Sequence, residues 1–389
     1  MSSRTSAGKK QKRAGPTGRM RKPEPYRLEA KMRSYGELYP RIYDFENLYG
    51  AYLKARRGHR RDPEVLVFAN NLESELIGLQ NDLIWKTYRT GTYRRFYVND
   101  PKTRLVAALP FRDRVLQHSL CGVIGPLFER KFIYDSYACR IGKGTHAGAG
   151  RVTEFLRRAA RIWPRPYCLK CDVRQYFPSI RHGPLLEIIK RTVACPDTLD
   201  LIREIVGSWV DPAEPDPKGL PIGNLTSQLW ANVYLDQMDH FVKEILRARF
   251  FVRYMDDFVI LHGDKAELWH MKKEIELFLA DKLGLTLNDK TGVFPISQGV
   301  DFLGYRIFTD HRLLRKRSIK RIKRTMKRFQ YLFSEGLIDA GRINTTVHSW
   351  LGHAKHADSY SFRTKLLDNV AFSRASAKGE GECTTVRRP

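Results

Sequence analysis

This 389-residue sequence points to an α+β fold, with helices segregated from an antiparallel sheet rather than alternating strictly with strands. Apolar residues recur at helical spacing over residues 45–53, 72–88 and 113–129. Short β-type runs come in pairs around tight turns, Arg94–Val98 with Arg104–Ala108 and Phe250–Tyr254 with residues 258–262. An apolar strand at 167–173 stands between the two pairs, and helical segments fill the rest.

Taken in order, residues 1–22 hold eight Lys/Arg, no acid and several Ser, Gly and Pro, a composition that cannot build a core. Residues 1–25 are therefore expected to be a disordered basic arm. After strand 167–173 the pattern predicts helices at 183–193 and 199–209, a Pro/Asp/Gly loop at 211–219 and a long helix over about 224–249. The second hairpin leads to a helix at 265–282 and short strands near Leu285 and Phe302. From Arg312 to Arg328 there are ten Lys/Arg in seventeen residues and no acid, while Ile319, Ile322, Met326, Phe329 and Phe333 keep a 3, 4, 3, 4 spacing. That is an amphipathic helix whose outer face forgoes the acid–base pairs of ordinary solvated helices and suits phosphate. Residues 371–389 read as a flexible tail.

Aromatic residues, 11% of the chain, and a 42% hydrophobic share exclude global disorder. A formal charge of +27 favours polyanions, and nucleic acid is the expected partner. No apolar run is long enough to span a membrane and no signal peptide follows the basic N-terminus, so no membrane association and a cytoplasmic location are expected. Six cysteines make no disulfide framework, and Cys168 and Cys171 lack the second pair that a closed zinc site needs.

Two stretches carry the chemistry. Asp172 ends the apolar strand and is followed by Val173 and, further on, Tyr176 and Phe177; Asp256 and Asp257 occupy a tight turn between apolar β segments. Asp is common in turns. Adjacent like charges between apolar strands are nevertheless costly without a cation, and a strand-end carboxylate facing a hairpin-tip pair makes an oxygen-rich site suited to Mg²⁺. Two such ions can clamp the attacking and leaving oxygens of an in-line phosphoryl transfer.

Tyr254-Met255-Asp256-Asp257 resembles the catalytic signature of reverse transcriptases, and Asp172 with Phe177 resembles their first palm motif. Leu220-Pro-Ile-Gly-Asn-Leu-Thr-Ser-Gln228 is similar to the motif that lines their nucleotide pocket. The likeness runs from about residue 45 to 356 and takes in Ser136-Tyr-Ala-Cys-Arg140, Phe302-Leu303-Gly304-Tyr305 and Ser349-Trp-Leu-Gly-His353. The form around Ile222 and the final thumb-like segment are most similar to reverse transcriptases of diversity-generating retroelements, with retrons and group II intron enzymes as nearby relatives.

The resemblance implies a right-hand polymerase fold: fingers at 26–165, palm at 166–310 and a helical thumb at 311–370. It implies two Mg²⁺ ions, with Mn²⁺ as a substitute, held by Asp172, Val173 and Asp256 with Asp257 in support. Phe177, beside Tyr176, would bar a 2′-hydroxyl and favour dNTPs; a packed core Phe is the plain alternative. Lys102 and Arg104 would hold the incoming triphosphate, with Arg112 and Arg114 as weaker candidates. Ile222, Gly223 and Gln228 would line the nucleotide pocket, and Lys290 would protonate the leaving pyrophosphate unless it is an ordinary surface lysine. Tyr254, Met255, Phe302, Leu303, Gly304 and Tyr305 would contact the primer terminus, and Arg315, Lys316, Lys320, Lys323 and Arg324 the primer–template duplex.

Ile222 stands where many reverse transcriptases carry Gln. A branched apolar side chain cannot make the amide's hydrogen bonds, so the resemblance implies error-prone copying with misincorporation opposite template adenines; simple packing is the alternative. Gln228, where group II intron enzymes usually carry Pro, points the same way. The implied partners are a template RNA, the primer or cDNA, dNTPs and a small basic pentameric accessory protein, in a bacterial or phage-encoded element. A defence-associated or retron-like reverse transcriptase would share every catalytic residue. An intron maturase is less expected, with about 30 residues after Ser359. A non-enzymatic RNA-binding scaffold is the alternative from another class.

Overall fold

A computed structural model describes residues 35–99, 103–210 and 215–374, together with the backbone of 383–384. The basic arm at 1–25, Lys102 and most of the expected tail lie outside the described residues.

Helices α1 (Tyr39–Tyr43), α2 (Phe45–Ala55), α3 (Pro63–Asn70) and α4 (Leu72–Ile84) pack around α5 (Phe111–Glu129). Asp44 caps α2 by accepting the Asn47 amide, and Leu48, Ala51, Tyr52 and Ala55 turn inward. The predicted helix at 72–88 stops at Ile84, and Lys86 takes a left-handed backbone conformation. Between α4 and α5 the hairpin β1 (Arg94–Val98) and β2 (Arg104–Ala108) stands out from the body, with every β1 residue exposed. Helix α6 (Thr145–Ile162) was not anticipated, because glycines in its first turns weaken the helical signal.

The centre is a four-stranded antiparallel sheet in the order β4-β5-β3-β6, formed by β3 (Tyr167–Asp172), β4 (Phe250–Tyr254), β5 (Asp257–His262) and β6 (Gly292–Pro295). Both faces are covered, which explains why its strands read as continuous apolar runs. Leu169, Cys171, Phe251, Phe258 and Ile260 face a helical core. Cys168, Phe250, Val252, Val259 and Leu261 face α6 and a small second sheet. Cys168 and Cys171 thus point to opposite faces and do not form one site.

Short helices α7 (Tyr176–Ser179), α8 (His182–Lys190) and α9 (Pro196–Gly207) lead to α10 (Leu225–His240). The long helix expected to reach residue 249 ends regularly at His240 and continues as one wider π-type turn, where Phe241 stacks on Phe278. Helix α11 (Lys265–Phe278) follows the second hairpin, and residues near Leu285 form no strand; the pairing there is a single bridge from Leu287 to Val173. Strands β7 (Val300–Phe302), β8 (Tyr305–Ile307) and β9 (Arg312–Leu314) make a three-stranded meander.

Helices α12 (Lys316–Ser334), α13 (Ala340–Ala354) and α14 (Tyr360–Asp368) share a separate apolar cluster. Ile322, Met326 and Phe333 are buried there and Phe329 packs against them, as the spacing predicts. The start of the expected flexible tail is corrected: β10 (Phe372–Ser373) pairs with β11 (Cys383–Thr384), and Phe372 is buried in that cluster. Among the described residues no helix is long and apolar enough to cross a membrane.

Candidate active site

Antiparallel register brings the carboxylates together. Asp172 at the end of β3 lies directly opposite Asp257 at the start of β5, and directly opposed residues project to the same face. Lys170, two residues before Asp172, shares that face; its ammonium lies 3.3 Å from Asp257 and donates to the Asp301 carbonyl at 2.7 Å. Burial pushes the Asp257 carboxyl up to about 6; the Asp172 charge also raises it, while Lys170 and Arg315 oppose the rise. Asp257 Oδ1 is buried with the Lys170 ammonium 3.3 Å away as its charged neighbour. Two carboxylates opposed across the ladder supply the oxygen donors that a hard divalent cation takes, its shell completed by water and phosphate oxygens.

Asp256 sits in the two-residue turn with Met255, whose φ of 57° is left-handed. One residue out of phase with Asp257, it acts electrostatically on Tyr176. Among the described residues no three His, Cys, Asp or Glu side chains converge closely enough to hold a metal by themselves. The ladder thus opposes Asp172 and Asp257 and sets Asp256 beside them in the adjoining turn. The backbone is nevertheless tied, since the Val173 amide donates to the Asp256 carbonyl at 3.1 Å.

Asn288 is a site residue that motif reading missed. Its amide N–H donates to the Asp172 carbonyl at 2.7 Å and its side chain to Asp172 Oδ2 at 3.2 Å. Its own Oδ1 accepts the Lys290 amide, which tethers the loop carrying the exposed Lys290 to the strand end. Lys170 was legible in principle: a lone cation two residues before Asp172 in an apolar strand must share its face.

The nucleotide-pocket residues meet at the base of the first hairpin. Ala107 donates its amide to the Ile222 carbonyl at 2.9 Å, and Gly223 has φ 127° with room for no side chain, since a Cβ would lie 2.8 Å from the Ala107 carbonyl oxygen. Ile222 and Gln228 are half-buried, and Arg104 is exposed on the hairpin above them. Phe177 is half-buried beside this loop, its carbonyl accepting the Leu220 amide at 2.9 Å. Tyr176 is corrected: its ring is in the core and its hydroxyl donates to the Ala231 carbonyl, so its side chain supports the pocket from behind. Arg112 and Arg114 form ion pairs with Asp82 and Glu64 on α4 and α3.

Phe302 and Tyr305 are corrected in the same way. Both are fully buried, and the Tyr305 ring stacks on His353 at 4.4 Å while its hydroxyl donates to the His353 carbonyl at 2.8 Å. The turn of this hairpin, Leu303 and Gly304, is left-handed and half-buried, with Leu303 packed against the second core cluster. Tyr254 is half-buried with its hydroxyl 3.4 Å from Thr145 Oγ1. Arg315 lies close enough to oppose the rise at Asp257, and its Nε is 3.8 Å from Asp301. Lys316, Lys320, Lys323 and Arg324 line the exposed face of α12.

Residues 99–307, more than half of the chain, match the family described as reverse transcriptase (RNA-dependent DNA polymerase). Protein YkfC of Escherichia coli (strain K12) is 27% identical over 285 residues, covering 64% of this chain and 73% of that protein. The group II intron-encoded protein LtrA of Lactococcus lactis subsp. cremoris is 23% identical over 322 residues, covering 63% of this chain and 52% of LtrA, so the chain spans about half of that relative's length. Among solved structures, apo telomerase from Candida Tropicalis aligns with a TM-score of 0.47 at 13% identity, over 72% of this chain and 60% of that one.

Proposed function

The chain belongs to the reverse transcriptase family of RNA-directed DNA polymerases, and we propose that it copies a template-repeat RNA into adenine-mutagenised cDNA for a diversity-generating retroelement. The observation that carries the polymerase reading is the ladder register that opposes Asp172 and Asp257 and sets Asp256 in the adjoining turn. The family uses divalent metal ions; here two Mg²⁺, or Mn²⁺ in their place, would be held by Asp172, Asp256, Asp257 and the Val173 carbonyl, and would stabilise charge on the transferring phosphoryl group.

The chain's own groups do the rest. Arg104, with Lys102, draws in the triphosphate of a dNTP. Phe177 closes the space where a 2′-hydroxyl would sit. The Leu303–Gly304 turn bears on the primer terminus, whose 3′-hydroxyl attacks the α-phosphorus in line, and Lys290 supplies a proton toward the leaving pyrophosphate. The basic face of α12 follows the duplex backbone. Fingers, palm and thumb are assigned to 26–165, 166–310 and 311–370.

Ile222 supports the mutagenic reading. Its carbonyl is spent on Ala107, and its side chain brings no hydrogen-bonding group to the base pair being formed. A small basic pentameric accessory protein is the proposed partner, bridged by RNA because both are cationic, in a bacterial or phage-encoded, cytoplasmic setting. The test is primer extension on a defined RNA template followed by sequencing of the cDNA. Wild type should misincorporate opposite adenine and Ile222→Gln should lower those errors; an unchanged adenine error rate would remove the mutagenic reading while leaving the polymerase reading intact.

A further inference from the structure

Beneath the catalytic turn lies a charge that neither nucleic acid nor solvent can reach. Arg253 on β4 is fully buried, and so is Asp239 on α10, which takes Arg253 Nε and Nη2 at 2.7 and 2.6 Å as a two-pronged ion pair. The remaining nitrogen, Nη1, donates to Asn232 Oδ1 at 3.2 Å and to the main-chain carbonyl of Met255 at 3.0 Å. Asn232 in turn donates to the Ala138 carbonyl at 2.8 Å. The Arg253 main chain is tied to the same segment, its amide donating to Asp135 and its carbonyl accepting from Tyr137, both at 3.0 Å.

The Met255 carbonyl belongs to the peptide immediately before Asp256. The peptide immediately after it is held by the Val173 amide, which donates to the Asp256 carbonyl. Both peptide planes flanking Asp256 are therefore anchored, one by an arginine side chain and the other by the strand end next to Asp172. Met255 meanwhile keeps a left-handed φ of 57°, which a non-glycine residue holds only where its surroundings over-determine it.

An ion pair taken wholly out of water contributes little net stability compared with apolar residues of the same volume. We propose that Arg253 is a positioning residue for the polymerase site: through the Met255 carbonyl it sets the turn that presents Asp256, with Asp239 orienting its guanidinium and Asn232 coupling it to the segment at 135–138. This rests on the polymerase reading. Lysine cannot replace it, because one ammonium cannot hold both Asp239 oxygens and still reach the turn.

The test uses the full chain, with wild-type primer extension as the control; a wild type that fails to extend speaks against the polymerase reading and not against this one. In Arg253→Met combined with Asp239→Leu, the charge pair is replaced by apolar volume. The folded double variant should lose about 100-fold in kcat while its dNTP KM and RNA affinity stay within about threefold of wild type. Arg253→Lys should lose about 10-fold in kcat with the same split. A folded double variant, or a folded Arg253→Lys chain, with wild-type kcat would overturn the assignment. Hydrogen exchange on the wild-type chain needs no variant: the Val173 amide should exchange only through global unfolding, and exchange through local opening of the turn would equally overturn it.

Discussion

The catalytic hairpin and the basic helix α12 both put charge where nucleic acid is expected, and they are built in opposite ways. In the hairpin every group is constrained from several sides: β4 and β5 are buried on both faces, Met255 is held in a left-handed turn, and Asp257 lies between Asp172 and Lys170. Helix α12 is anchored on one face by Ile322, Met326 and Phe333, while its lysines and arginines project into solvent as separate, similar contacts. Directional chemistry needs fixed geometry, whereas attraction to a phosphate backbone sums over many charges. Loss should therefore be concentrated in the hairpin and spread thinly over the helix.

The sharpest break of that contrast is Asp256→Ala. Primer extension should fall by ~1,000-fold or more, while RNA affinity, measured by filter binding, stays within about twofold. An RNA-binding scaffold without catalysis would lose no biological activity in this variant. Next comes Gly223→Ala, which places a Cβ 2.8 Å from the Ala107 carbonyl oxygen in a positive-φ conformation. It should lower stability by about 2 kcal/mol and loosen the first hairpin, read as a lower melting temperature and a raised dNTP KM.

Burial also makes the hairpin's foundation sensitive to pH. Burial pushes the Asp236 carboxyl up to about 7, with the neighbouring Asp239 charge adding to the rise and His240 opposing it. Because the folded chain binds this proton more tightly than the unfolded chain, stability falls as pH rises from about 4 through 7. Asp236→Asn removes that loss: it should melt higher than wild type at pH 8, by the equivalent of about 4 kcal/mol, with the advantage fading toward pH 4. Equal shifts at both values would show that the carboxyl is not held neutral by its surroundings.

The smallest effects belong to α12. Lys320→Ala, Lys323→Ala or Arg324→Ala should each weaken RNA binding about two- to threefold and reduce the slope of log affinity against log salt by about 1, with kcat preserved. A single substitution there that abolished extension would end the distinction between the two regions.

Much of the fold could be read ahead of the structure where local pattern and tertiary environment agree. The strands Arg94–Val98 and Arg104–Ala108 and the inward stripe of α12 are such places. Helix α6 escaped notice because Gly148 and Gly150 depress its propensity; Gly148 is kept small by packing, since a Cβ there would lie 2.8 Å from Leu303. The π-type turns after α10 and α11 were equally invisible, since a hydrophobic repeat does not reveal the slip of one hydrogen bond.

At the site, residue type and spacing along the chain were enough to nominate Asp172, Asp256 and Asp257, because adjacent acids between apolar strands demand a cation or a proton. Which of them face one another was decided by ladder register, a long-range pairing that no local window contains. The same holds for Tyr176, Phe302 and Tyr305. A motif marks them as close to the chemistry, but only the packing around them turns their rings into the core and leaves the turn at Leu303 and Gly304 half-buried. Local chemistry is written in side-chain identity; direction is set by what the rest of the chain stacks against it.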